Sequence, residues 1–309
     1  MVTDRRTASF HSIMDLVKAS DVHYWPLAIE GRYTKSFLLS IHSSLPYLPV
    51  TSVLIYMLMV YFGAKVMQNR KPFHIKSLLL FWNSFLALFS AIMTIRLACY
   101  VAYELKTMTL LEKVCYSKDK GQVGFNTDNV TALWGFLFSL SKFVELGDTL
   151  LLILRKKPII FLHWYHHTTV LLYVWYSVGQ ELPVTTIFAT VNSFVHSFMY
   201  TYYACQTVGI RFPRLVSMML TSLQISQMVV GLYALLLRHQ AVRQGMSCSA
   251  SQFIWVSGIL MYGSYFVLFV HFFIQAYLDA GKKATYKKDQ DGKPDELTMD
   301  HNQNIKKAN

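Results

Sequence analysis

The sequence predicts an all-α membrane protein with seven transmembrane helices. Of its 309 residues, 53% are hydrophobic and only 15% are charged, whereas soluble domains contain about 25% charged residues. The apolar residues are concentrated in runs of about 20, the length at which a helix crosses a hydrocarbon core of about 30 Å. A soluble helical bundle does not need seven such runs, so we set that alternative aside.

The predicted spans are separated by short polar links. They cover residues 44–66, 75–101, 131–154, 159–178, 185–206, 213–238 and 252–280. We therefore expect one membrane domain over residues 36–280, with no second, soluble domain. Residues 1–35 carry scattered charges and lack the continuous apolar stretch of a cleaved signal peptide. Residues 281–309 are polar and aperiodic, which predicts a disordered tail.

Lysine and arginine concentrate in alternate links, and this asymmetry predicts the orientation. The basic links follow spans one, three and five and contain Lys65, Arg70, Arg155 and Arg211, and the lysine-rich tail shares their side. That side is predicted to be cytosolic, so the N-terminus is lumenal and the C-terminus cytosolic. The same bias explains most of the net charge of +12 without a nucleic-acid partner.

Features near the ends and in the lumenal links point to the membrane of the endoplasmic reticulum. Lys306 and Lys307 occupy the fourth and third positions from the C-terminus, as in a di-lysine retrieval signal. Cys115 and Cys248 fall in the two links after spans two and six, where an oxidising lumen favours a disulfide over two free thiols. Asn129 begins a glycosylation sequon near the start of span three, and its occupancy is left open.

The strongest functional signal is a histidine cluster at the predicted cytosolic end of span four. His163, His166 and His167 lie at positions i, i+3 and i+4, so a helix presents all three imidazoles on one face. Ionisable groups inside a membrane domain are costly and usually functional. Imidazoles act as metal ligands, nucleophiles or proton carriers near neutral pH, and the spacing alone does not choose among these roles.

Three more spans carry polar residues that would line the same site. Span five contributes Asn192, His196, Tyr200 and Tyr203, span three contributes Lys142, Glu145, Asp148 and Thr149, and span six contributes Gln224 and Gln227. We interpret Asn192 and His196 as site wall, although such groups also join helices to one another. Lys142 and Glu145 have ion-pair spacing, and the carboxylates either serve the site or form a structural network. The glutamines fit packing equally well.

Together these motifs resemble the signatures of the fatty-acid elongases, the condensing enzymes of very-long-chain fatty acid synthesis. The resemblance rests on His163-Trp164-Tyr165-His166-His167, Lys142-x-x-Glu145-x-x-Asp148-Thr149, Asn192-x-x-Val195-His196-x-x-Met199-Tyr200-x-Tyr202-Tyr203, Thr221-x-Leu223-Gln224-x-x-Gln227 and Arg70-Lys71-Pro72-Phe73. It covers roughly residues 65–280. The Trp-Tyr pair between the histidines is similar to the subgroup that extends saturated and monounsaturated chains, the palmitate type.

The resemblance implies that a long-chain acyl-CoA condenses with malonyl-CoA to give 3-oxoacyl-CoA, CO2 and CoA, with no cofactor or metal. The acyl chain would occupy a tunnel enclosed by the helices, and CoA would enter from the cytosolic side. The reductases and dehydratase of the elongation cycle are expected partners. The sequence carries no signal for or against a homodimer.

The resemblance also implies a role for each site residue. His166 would be the acylated nucleophile, since no serine or cysteine lies near the box. His196 would assist it, while His163 and His167 orient groups and shuttle protons. Asn192 and Gln224 would polarise the reacting carbonyl groups, and Glu145 and Asp148 would tune the imidazoles.

Two other classes of protein compete with this interpretation. A membrane di-iron desaturase or hydroxylase also uses clustered histidines, but it needs more histidine ligands than the four that lie together here. A non-enzymatic seven-helix receptor or carrier explains the number of spans. It gives no reason for the stacked histidines beside a carboxylate-bearing helix.

Overall fold

A computed structural model describes residues 27–30, 32–106, 108–115, 129–246, 248 and 251–279. Its helices are α1 (Lys35–Ser44), α2 (Leu48–Met67), α3 (Lys76–Glu104), α4 (Leu110–Val114), α5 (Asn129–Glu145), α6 (Gly147–Leu154), α7 (Phe161–Gly179), α8 (Thr185–Val208), α9 (Arg214–Arg243) and α10 (Gln252–Phe273), which continues as the π-helix Ile274–Asp279. The predicted all-α class is confirmed. The tail with Lys306 and Lys307, most of residues 1–35 and the Asn129 side chain lie outside the described residues.

Every predicted span falls on helical structure. The helices α2, α3, α9 and α10 with its π-helical extension are each long and apolar enough to cross a membrane. The other three predicted spans are not among these four helices. Span three is broken at Leu146 into α5 and α6. Helices α7 and α8 carry the polar residues of the predicted site, which lower their mean hydropathy. The chain is therefore a helical membrane protein, and the number of seven spans stays a prediction.

Six of the spans form a ring, with the seventh outside it. Around the ring, α3 packs on α8, α8 on α9, α9 on α10, α10 on α7 and α7 on α5, and α5 contacts α3. Helix α2 lies outside this ring against α6 and α7, and α1 packs against α5 and α7. The polar faces of α6, α7, α8 and α9 therefore meet in the interior of the ring.

At one end of the bundle, the basic links after α2 and α6 contact each other. The amide of Phe73 donates to the carbonyl of Leu154 at 2.9 Å. Lys156 donates from Nζ to the carbonyl oxygens of Gln68 at 3.0 Å and Arg70 at 3.2 Å. These two links thus share one end of the bundle, as the predicted orientation requires.

At the opposite end of the bundle, an ion pair and a disulfide connect neighbouring segments of the protein. Lys35 at the start of α1 lies 2.7 Å from Glu181 in the link between α7 and α8. Cys115 after α4 and Cys248 after α9 form a disulfide with a Cα–Cα distance of 4.8 Å. This is the pair that the sequence singles out. Which membrane face each end occupies remains a prediction.

Candidate active site

The ring encloses a cavity of about 530 Å³, within the size range of sites for small organic ligands. Of the residues that the sequence singles out, it is lined by Asp148, His163, His166, His167, Asn192, His196, Tyr200, Tyr203, Gln224 and Gln227. Lys142 and Glu145 lie behind its wall and are only 2% and 3% exposed. The structure therefore brings the four motifs together around one space, with two of their charged residues supporting it from behind.

His163 is tied to two helices through its Nε2 atom. Nε2 lies 2.8 Å from the Thr149 hydroxyl on α6, and that hydroxyl lies 2.9 Å from the Tyr56 hydroxyl on α2. Tyr56 and Thr149 are both buried. The sequence analysis placed Thr149 in the span-three motif without giving it a role, and it missed Tyr56, because a single tyrosine in span one carries no signal that it reaches the histidine cluster.

His196 belongs to a second network, which includes the expected ion pair. Lys142 donates from Nζ to Glu145 Oε1 at 2.7 Å and to Asn192 Oδ1 at 2.8 Å. Because Asn192 Oδ1 accepts this bond, its Nδ2 group is the donor to His196 Nε2, at 3.2 Å. The imidazole proton of neutral His196 is then on Nδ1, which lies 3.6 Å from Glu145 Oε1.

Asp148 has different partners from those expected. The indole Nε1 of Trp82 donates to Oδ1 at 2.6 Å, and the hydroxyl of Tyr200 donates to Oδ2 at 2.7 Å. Its carboxylate makes no hydrogen bond to any histidine among the described residues. Trp82 reaches it because Gly147 lacks a side chain, since a Cβ atom there would lie 2.6 Å from the Trp82 ring. Asp148 therefore braces α3 and α8 against α6.

His166 and His167 differ in how they meet the cavity. The ring of His167 lies 4.5 Å from that of His163 and 5.4 Å from that of His166, and its buried Nδ1 has no hydrogen-bonding partner among the described groups. The ring of His166 packs 5.0 Å from that of Tyr265 and borders the cavity. No described group hydrogen-bonds the His166 imidazole, so both of its ring nitrogens are free to meet a ligand.

Carboxamides complete the polar wall. Gln224 donates from Nε2 to the sulfur of Met199 at 3.3 Å, a weak acceptor that a better one can replace. Gln227 also borders the cavity, as does the buried Asn83 of α3. The two glutamines therefore line the cavity as well as pack between helices. The sequence analysis missed Asn83, although an amide within an otherwise apolar span is a usable signal.

A second chamber of about 20 Å³ continues beyond the histidines. His166, Asn192 and Gln227 border both spaces. Beyond these three residues the walls are mainly aromatic and aliphatic, formed by Phe138, Val170, Tyr173, Val174, Phe188, Met261, Tyr262 and Tyr265. The polar site therefore leads into a narrow apolar end.

Metal-binding geometry offers no support for the di-iron alternative. Within the part of the chain that the structure describes, no group of three or more histidine, cysteine, aspartate or glutamate side chains is arranged to hold a metal ion. Instead, Thr149 occupies one ring nitrogen of His163, and Asn192 occupies one of His196.

These features define a polar, histidine-lined site inside a helical membrane protein. Comparison with known proteins identifies its family, because residues 42–285 match the ELO family, described as the GNS1/SUR4 family. The chain belongs to this family.

Similar proteins carry names that agree with the motifs. The chain is 40% identical over 236 residues to very long chain fatty acid elongase 3 of Mus musculus, covering 76% of this chain and 84% of that protein. It is 42% identical over 229 residues to very long chain fatty acid elongase 6 of Drosophila melanogaster, covering 74% of this chain and 71% of that protein. It is also 42% identical over 231 residues to very long chain fatty acid elongase 6 of Gallus gallus, covering 74% of this chain and 84% of that protein. The predicted membership of the elongase family is confirmed.

Proposed function

We propose that the chain catalyses the condensing step of fatty acid elongation, in which a long-chain acyl-CoA and malonyl-CoA give 3-oxoacyl-CoA, CO2 and CoA. The observation that carries this proposal is a cavity lined by His166, whose imidazole has no hydrogen-bonding partner among the described groups, and by His163 and His196, each held by its own network. Family membership supports fatty acid elongation as the process, and the site geometry supports this step of it.

In the first half-reaction, an imidazole nitrogen of His166 attacks the thioester carbonyl carbon. The carbon–sulfur bond breaks, CoA leaves as the thiol after taking up the imidazole proton, and an acyl-imidazole remains. Two features support His166 as the nucleophile. Its nitrogens are free of described partners, and the described cavity wall contains no serine or cysteine that could take its place.

In the second half-reaction, malonyl-CoA loses CO2 and the resulting enolate attacks the acyl carbon. A carbon–carbon bond forms as the bond to His166 breaks, and the imidazole recovers a proton from solvent. Negative charge develops on carbonyl oxygens in both steps, so preorganised donors accelerate them. Asn192, Gln224 and Gln227 are the carboxamides next to His166 that are suited to this task.

His196 and the pair behind it form a proton-handling unit. The Nδ1 proton of His196 points to Glu145, so Nε2 is the nitrogen that can take up a second proton, and it does so only by giving up its bond from Asn192 Nδ2. Glu145 would then stabilise the positive charge on the imidazole. Lys142 keeps the resting network close to neutral, because its charge offsets that of Glu145. We assign Lys142 and Glu145 as supporting residues and not as substrate contacts.

The composition of the site supports a substrate with an apolar chain and an anionic head. The acyl chain would occupy the cavity of about 530 Å³ and point towards the apolar residues beyond His166. The chamber of about 20 Å³ there has room for about one water molecule, so these side chains would have to move apart to admit a chain end. The CoA phosphates would lie at the mouth, where Arg155 borders the cavity near the basic links. The Trp164–Tyr165 pair in the histidine box resembles that of the subgroup that extends saturated and monounsaturated chains, so we propose acyl chains of the palmitate type as substrates.

The proposed setting is the endoplasmic reticulum membrane, with a lumenal N-terminus, a cytosolic C-terminus and the reductases and dehydratase of the cycle as partners. Replacing Lys306 and Lys307 by serine should release the protein from this membrane, as fluorescence microscopy would detect. Unchanged retention in the endoplasmic reticulum would count against the retrieval signal.

A condensation assay tests the proposed reaction. Purified protein is incubated with palmitoyl-CoA and labelled malonyl-CoA without NADPH, and labelled 3-oxoacyl-CoA is measured. We expect product from the wild type, none from His166→Ala, and normal product from His271→Ala, which replaces an exposed histidine of α10. The absence of product from a folded wild type with any acyl-CoA tested would refute the proposal and call for iron analysis.

A further inference from the structure

The outer helix α2 reaches the histidine cluster through a chain of three side chains. Tyr56 of α2 lies 2.9 Å from Thr149 of α6, and Thr149 lies 2.8 Å from Nε2 of His163 in α7. Tyr56 is 2% exposed and Thr149 is fully buried. Thr149 belongs to the span-three motif, but the proposed reaction gives no role to it or to Tyr56.

We infer that Tyr56 and Thr149 are positioning residues that hold His163 as a hydrogen-bond donor to the substrate through Nδ1. This inference rests on the proposed condensing function, because it assigns His163 a task within that reaction.

The number of hydroxyl protons available determines the direction in which these hydrogen bonds run. Each hydroxyl has one proton to donate, and no described group other than Thr149 hydrogen-bonds the Tyr56 hydroxyl. If His163 Nε2 donated to Thr149, then Thr149 would donate to Tyr56, and the buried Tyr56 proton would have no acceptor. If Tyr56 and His163 both donated to Thr149, the hydroxyl proton of Thr149 would have no acceptor. Only the direction from Tyr56 through Thr149 to Nε2 satisfies every donor.

This direction fixes the tautomer of His163. Nε2 accepts the bond from Thr149, so neutral His163 carries its proton on Nδ1. The ring borders the cavity, and Nδ1 is the nitrogen that remains for a ligand there. His163 is then a fixed donor and not a competing nucleophile, because its lone pair on Nε2 is already engaged.

A fixed donor beside His166 has a use in both half-reactions. The thioester oxygen gains negative charge when His166 attacks and again when the enolate attacks the acyl-imidazole. A donor whose ring is already held in place loses no freedom as that charge develops. The chain of hydroxyls therefore links helix α2, outside the ring, to the chemistry inside it.

Isosteric variants separate this role from packing. Thr149→Val keeps the side-chain shape and removes the hydroxyl, Thr149→Ser keeps the hydroxyl, and Tyr56→Phe removes the first donor. Thr168→Val is the matched control, because its hydroxyl bonds the Trp164 carbonyl at 2.7 Å and faces α2 through Met57. All four are assayed with palmitoyl-CoA and labelled malonyl-CoA beside the wild type.

We expect Thr149→Val to lower kcat about tenfold to a hundredfold with little change in KM, since a misplaced catalytic group has costs of this order. Thr149→Ser should restore most of the rate. Tyr56→Phe should cost about threefold to tenfold, the effect of one lost hydrogen bond. Thr168→Val should match the wild type. A wild-type rate in Thr149→Val, a serine variant as slow as the valine variant, or an equal loss in Thr168→Val would overturn the inference.

The tautomer of His163 tests the same inference without any activity. Nitrogen NMR of protein labelled with ¹⁵N-histidine, with His163→Gln used to assign its signals, distinguishes a proton on Nδ1 from one on Nε2. We expect the Nδ1 form in the wild type and its loss in Thr149→Val. An Nε2 proton in the wild type would refute the relay even if the condensing reaction were established, whereas an inactive wild type with the Nδ1 form would refute only the proposed function.

Discussion

Replacing Lys142 by methionine should destabilise the protein severely. Its Nζ atom donates to Glu145 Oε1 at 2.7 Å and to Asn192 Oδ1 at 2.8 Å, and both charged side chains are almost fully buried. Without Lys142, the Glu145 carboxylate keeps only Ser141 at 3.2 Å and His196 at 3.6 Å, and its Oε2 atom has no described partner at all. Removing one partner of a buried pair typically costs about 3–5 kcal/mol.

A double variant separates stability from activity. Lys142→Met with Glu145→Leu replaces the pair by apolar groups of similar volume, a change that is often neutral for stability to within about 1 kcal/mol or even favourable. We expect it to recover part of the stability that Lys142→Met loses, because the buried Asn192 Oδ1 still lacks its donor and such a group costs about 1–3 kcal/mol. It should stay impaired in condensation, because His196 no longer faces a carboxylate and Asn192 Oδ1 has lost its donor.

Two assays check this prediction. Denaturant unfolding in detergent reports stability, and labelled malonyl-CoA reports condensation. Lys65→Met serves as the control. This exposed lysine contacts the hydroxyl and ring of Tyr61 and lies over the ring of Phe62 in its own helix. Its loss should cost less than about 1 kcal/mol. Wild-type stability in Lys142→Met, or a full reaction rate in the double variant, would refute the reasoning.

Two further perturbations test the packing that holds the site. Gly147→Ala places a Cβ atom 2.6 Å from the Trp82 ring. We expect this overpacking to cost about 1–3 kcal/mol and to displace the hydrogen bond from Trp82 to Asp148. The control Gly263→Ala, whose Cβ meets nothing within 4 Å, should be neutral or stabilising in the same denaturant-unfolding assay. Replacing both disulfide cysteines by serine opens a loop with a sequence separation of 133 residues, for which chain entropy predicts a loss of about 4–5 kcal/mol. An unchanged unfolding midpoint in the cysteine variant would show that helix packing alone holds that end.

The helices and the histidine face could be predicted because both depend on local order in the sequence. Runs of about 20 apolar residues specify spans whatever their neighbours are, and all seven fall on helices. His163, His166 and His167 share one face because of helical geometry alone. Their position along a common cavity follows once the spans form a ring.

The partners of the carboxylates could not be predicted, because they depend on tertiary packing. Glu145 and Asp148 are three residues apart, and sequence gave both the same role towards the histidines. The break at Leu146 and the indole of Trp82 across Gly147 turn Asp148 towards Trp82 and Tyr200, and leave Glu145 with His196.

The contact between Tyr56 and Thr149 was equally out of reach, because it joins residues 93 positions apart with no local pattern. Its two hydroxyls look like ordinary polar groups in their own spans. Only the docking of α2 against α6 and α7 brings them to His163.

Acylation of His166 is the most direct test of the account. Purified protein is mixed with palmitoyl-CoA alone, without malonyl-CoA, and released CoA is counted before rapid digestion and mass spectrometry of the peptide that holds 161–179. We predict about one CoA per active site, a palmitoyl group on His166, and transfer of that group when malonyl-CoA is added. A wild type that condenses its substrates without releasing CoA first, or an acyl group on any other residue, would contradict the account.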